Sequence, residues 1–106
     1  MKRTLFLTLI ALLAVSMASA AGDASAGKAQ YDKACKGCHG AAGRHNPSIA
    51  KAMKVDMKDL GSGEVQSMSD DDLRKAVTNG VGKMRPIKSV SGVEVDNIIA
   101  YMRTFK

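Results

Sequence analysis

From Asp23 to the C-terminus, apolar side chains return at intervals of three and four and nowhere alternate with polar ones over a strand's length. This pattern predicts helices joined by glycine-rich connections. It is clearest near the end, where Val95, Ile98, Ile99 and Met102 form a stripe at i, i+3, i+4 and i+7 behind a Ser91/Glu94 capping box. Asp23 caps a first helix running to about Cys35, with Gly27, Tyr31 and Ala34 on related turns. Pro47-Ser48 opens a short helix through about Lys54 that carries Ile49 and Met53. Ser69 followed by Asp70, Asp71 and Asp72 starts another. Its acidic first turn complements the helix dipole, Met68 and Leu73 form a hydrophobic staple, and Asn79-Gly80 ends it. Gly40 to Asn46 and Gly61 to Gly63 read as loops. The fold class is all-α.

Residues 1–20 follow a different rule. Lys2 and Arg3 precede an apolar run from Leu5 to Val15, and small residues end at Ala18-Ser19-Ala20, the pattern of a removable secretory signal. The run would make a helix of about 16 Å against a hydrocarbon core of about 30 Å, too short for a stable membrane anchor. The expected division is a signal peptide over 1–20 and one domain over 21–106, exported to the periplasm.

Composition then narrows the class of partner. Without Lys2 and Arg3, Lys+Arg falls to 14 against 10 acidic residues, a formal charge of +4. With no long basic block and only Tyr31, Tyr101 and Phe105 as aromatics, a nucleic-acid platform is not expected. So few large apolar groups make a thin core at a size where burial on folding is already marginal. Something besides polypeptide must fill the interior.

Cys35 and Cys38 are separated by Lys36 and Gly37 and followed at once by His39. C-x-x-C-H is the attachment motif of c-type haem. Residues three apart share a helix face, so both sulfurs can meet the two vinyl groups of one porphyrin while the histidine reaches the iron. Other uses of the motif fit less well. A thioredoxin-like dithiol needs a βαβ context. A zinc site drawing on Cys35, Cys38, His39 and His45 would have to use two adjacent residues on one tetrahedral ion. A disulfide across two intervening residues constrains little.

The chain resembles a small bacterial class I cytochrome c. The likeness is carried by Gly27 and Tyr31 leading into Cys35-Lys36-Gly37-Cys38-His39, by Pro47, by Gly82-Lys83-Met84-Arg85-Pro86 and by a final helix with Tyr101. It implies three to five short helices wrapped around one covalently attached haem c, with the first and last helices crossing at Gly27 against Tyr101. It implies His39 as one axial ligand. The other candidates are five methionines and His45. Met102 lies on a core stripe, Met68 serves the staple, and Met53 and Met57 are four apart near a short helix. Met84 sits outside any helical period, between Gly82 and Pro86, and matches the family's ligand loop, though that loop has Met directly before Pro and here Arg85 intervenes. Pro47 is implied to accept a hydrogen bond from His39 through its carbonyl, an ordinary helix-starting role being compatible.

An iron with two strong axial ligands changes charge and leaves no site for substrate, so the implied function is that of a monomeric periplasmic electron carrier and not an enzyme. Redox protein partners are expected at a basic haem-edge face of Lys36, Lys83, Arg85 and Lys88. The alternatives are a haem c subunit of a larger periplasmic oxidoreductase and a gas-sensing or peroxidatic haem protein with a labile sixth ligand.

Overall fold

The structure, a computed structural model, describes residues 22–105; the expected signal segment lies outside the described residues. The described chain contains helices α1 (Ala24–Ala34), α2 (Lys36–His39), α3 (Pro47–Met53), α4 (Gly63–Gln66), α5 (Asp70–Asn79) and α6 (Val93–Met102), with a 3₁₀ turn at Ala41–Gly43. Four of these are the predicted helices. The single turns α2 and α4 are additional, and no strand is present among the described residues.

Caps explain most boundaries. The Asp23 carboxylate accepts from the amides of Ser25 and Ala26 and starts α1, Asn46 accepts from Ser48 ahead of Pro47 in α3, and Ser69 accepts from Asp72 in α5. One expected cap does not form. Gly92, at φ 55°, occupies the N-cap of α6 and no side chain caps that end. Ser91 contributes its carbonyl, accepting from Glu94 at 3.1 Å, so the capping box is replaced by a backbone turn. The short α4, within what reads as a loop, starts from Ser62, whose hydroxyl accepts from the Val65 amide at 3.3 Å.

Helices α1 and α6 cross to make the solid half of the domain. A Cβ on Gly27 would lie 1.8 Å from the Asn97 carbonyl oxygen, so only glycine lets the backbones approach this closely. The expected partner, Tyr101, is therefore corrected: Gly27 meets the backbone of Asn97. Tyr101 instead packs edge-on against Tyr31 at 5.3 Å between ring centroids, and Phe105 completes the cluster at 5.3 Å from Tyr31 and 5.0 Å from Tyr101. Val95, Ile98, Ile99 and Met102 are all buried, as the stripe predicts. Arg103 then ties α6 to α4 and α5, donating to the carbonyls of Gln66 and Met68 and to the Asp70 carboxylate.

Candidate functional site

Helix α1 ends at Cys35, whose φ of −121° departs from helical geometry and turns the chain into α2. The amides of Cys38 and His39 both donate to the Cys35 carbonyl, at 3.3 and 3.0 Å, so one helical turn carries both cysteines and the histidine. The turn is pinned from two directions. Tyr31, fully buried, donates its hydroxyl to the Gly40 carbonyl at 2.6 Å, and the Asn46 amide donates to the Cys38 carbonyl at 2.9 Å.

Both thiols are free, Cys35 buried and Cys38 exposed. Burial, with a smaller contribution from the neighbouring Cys38, pushes the Cys35 thiol up to about 11. A disulfide oxidoreductase needs a thiolate at neutral pH, and Cys35 has the reverse environment. Burial foremost, then the nearby charge of His45, holds the His39 imidazole below its ordinary range and hence neutral, the form that binds metals.

Met84 lies on a turn of another kind. The amides and carbonyls of Val81 and Met84 pair reciprocally at 3.1 and 2.9 Å around Gly82-Lys83, a tight reversal just after α5. Gly80 makes it possible: at φ 76°, a Cβ there would lie 2.5 Å from the Met84 carbonyl oxygen. The Ile87 amide donates to the Val77 carbonyl at 2.9 Å and returns the chain to α5.

Cys35, Cys38, His39 and Met84, drawn from these two turns, line a single cavity of about 560 Å³. Its wall is overwhelmingly apolar, and Tyr31, Val65, Leu73, Val77 and Met102 belong both to this wall and to the core. The residues fit a haem on two counts. The volume is within the range of about 300–1,000 Å³ usual for cofactor pockets. So much concave apolar surface facing water calls for an apolar occupant. His39 Nδ1 is buried with no hydrogen-bond partner.

That orphaned nitrogen departs from expectation, since the Pro47 carbonyl does not accept from it. Pro47 serves as the first residue of α3 behind the Asn46 cap, the compatible role noted from sequence. His45 is outside the cavity lining and pairs through Nδ1 with Asp59 at 2.6 Å. Among the described residues no three His, Cys, Asp or Glu side chains converge on a metal site.

The structure adds a feature the sequence reading missed. Met53, Met57, Met68 and Met102 line the same cavity as Met84, so the wall is rich in soft, polarizable thioethers. Backbone sets Met84 apart from Met53 and Met102, which are fixed in helices. Of the expected basic group, Lys83 and Arg85 border the cavity, joined by Lys58, while Lys36 and Lys88 lie outside its lining.

The family described as "Cytochrome C oxidase, cbb3-type, subunit III" matches residues 22–102. The solved structure of the KustC0563 c-type cytochrome is 25% identical, with a TM-score of 0.64, and the match covers 76% of this chain and 96% of that one. No curated protein matches. The matched span includes the whole cysteine-histidine turn, the Met84 turn and every helix among the described residues. The chain belongs to the cbb3-type cytochrome c oxidase subunit III family and is a small all-α c-type cytochrome, a haem protein that carries electrons and is not itself an enzyme.

Proposed function

We propose that residues 21–106, released from a signal peptide over 1–20, hold one haem c through thioethers at Cys35 and Cys38, with His39 and Met84 as axial ligands, and shuttle single electrons between redox proteins of the periplasm. The observation that carries this reading is the meeting of the Cys35–His39 turn and the Met84 turn on one apolar cavity. When bound, haem c supplies a one-electron iron couple. The chain's own residues do the rest. Cys35 and Cys38 supply the sulfurs for attachment and lose any dithiol chemistry in doing so. The neutral imidazole of His39 and the thioether of Met84 supply a nitrogen and a soft sulfur, a pair that favours the reduced ion more than two histidines do. The apolar wall excludes water, which keeps the surroundings similar in both charge states. Exposed Lys83 and Arg85 beside the cavity give acidic partner surfaces a basic edge to approach. No helix among the described residues is long and apolar enough to cross a membrane.

A second reading is favoured by one finding, the name of the matching family: the chain works as a docked haem subunit of a larger oxidoreductase. The two readings separate on isolation from an exporting host that matures c-type cytochromes. The carrier reading predicts a monomer beginning at Ala21 whose mass includes one haem. A chain still beginning at Met1 removes the signal, a mass without haem removes the cofactor assignment, and stoichiometric co-purification with a larger redox protein selects the subunit reading.

A further inference from the structure

We propose that Lys83 is a positioning residue: held by the Met53 carbonyl, it latches the Met84 turn to the end of α3 and sets how firmly the Met84 sulfur is presented to the cavity. This rests on the reading of Met84 as an axial ligand.

The Lys83 ammonium donates to the Met53 carbonyl oxygen at 2.7 Å, joining segments 30 residues apart. Met53 is the last residue of α3, and Lys54 follows in the left-handed region at φ 55°, so the chain turns away and the Met53 carbonyl leaves the helical ladder. Lys83 satisfies that orphaned acceptor with a charged donor, the stronger kind of hydrogen bond. Met53, Lys83 and Met84 all line the cavity, so the latch spans part of its border.

Few other hydrogen bonds restrain the turn, whose return segment is held by Ile87 packing against the core. Its Val81/Met84 pairing is internal, the Ile87 amide returns only to α5, and Val81 is 62% exposed and cannot anchor it by burial. Pro86 fixes its own φ and restricts Arg85, but it leaves the Met84 backbone unrestricted. Among the described residues, the Lys83–Met53 bond is the hydrogen bond that ties residues 80–88 to a part of the chain beyond α5. Removing it frees the turn to swing Met84 away and should leave the α1–α6 crossing untouched.

The test uses the oxidised holoprotein and imidazole as a neutral competitor for the methionine position. Loss of a nearby positive charge alone does not attract or repel it. Lys83→Met should raise imidazole affinity about 3- to 10-fold, the range expected for one lost hydrogen bond, with a fall in the denaturant midpoint no larger than that one bond accounts for. Lys83→Arg, which keeps a charged donor, should restore affinity to within about twofold of the parent. If the parent protein lacks the sulfur-to-iron absorption band, the Met84 reading fails. If the band is present and Lys83→Met leaves imidazole affinity unchanged, or Lys83→Arg behaves like Lys83→Met, the latch is overturned.

Discussion

Where α1 crosses α6, glycine meets carbonyl and three aromatic rings lock edge to face; around the cavity, a lysine hydrogen bond joins the Met84 turn to the end of α3, and methionines line the hollow. The first region packs chain on chain and is complete as polypeptide. The second gains its cohesion from what it holds. A domain this small divides its stability between a crossing that gives shape and a cofactor that supplies the missing apolar volume.

Breaking the second region at its covalent anchor should have the largest effect. Replacing Cys35 and Cys38 together by serine should abolish covalent haem, seen as complete loss of haem absorbance from the denatured chain, and should cost most of the helical circular dichroism. Gly27→Ala attacks the first region instead. The added methyl meets the Asn97 carbonyl, and overpacking of this kind costs about 1–3 kcal/mol, a fall in melting temperature of roughly 5–20 °C, with the visible spectrum kept.

Helix caps sharpen the contrast at smaller scale. Ser69→Ala removes the hydroxyl that accepts from the Asp72 amide at 3.1 Å and should cost about 1 kcal/mol in denaturant titration. Ser91→Ala, at the capping box that does not form, should stay within about 0.5 kcal/mol of the parent. Smallest is an acid effect at the loop beside the histidine turn. The His45 imidazole, donating to Asp59, holds that carboxyl below its ordinary value. A carboxyl whose folded value is depressed stabilises the fold above its unfolded value of about 3.9, and this contribution is lost as pH falls through the lower folded value. Asp59→Asn should therefore lower stability slightly near neutrality, where the contribution is fully present, and flatten the stability–pH curve in the acid window where the parent protein loses it.

The crossing was the legible region. The α6 stripe, the Asp23 and Ser69 caps and the need for glycine at position 27 all follow from local rules, and all four appear in the fold. Local rules failed where several weak signals compete. Gly92 displaced the Ser91 cap because a left-handed residue was needed there, and α4 hid behind Gly61 and Gly63, with Ser62 its only cue. The methionine lining was beyond a local reading for another reason. Periodicity assigned Met102 to a core face and Met53 to a helix, correctly in each case, but which cavity those faces share is decided by tertiary packing. The His45–Asp59 pair and the Lys83 latch join residues 14 and 30 apart, and no spacing rule connects them.

Absorption spectroscopy of the oxidised holoprotein at the red edge of the visible range, before and after Met84→Ala, tests the central claim most directly. The account predicts a weak sulfur-to-iron band in the parent protein that disappears in Met84→Ala and persists in Met57→Ala and Met53→Ala. A band that survives Met84→Ala, or that is lost in Met57→Ala instead, would contradict it.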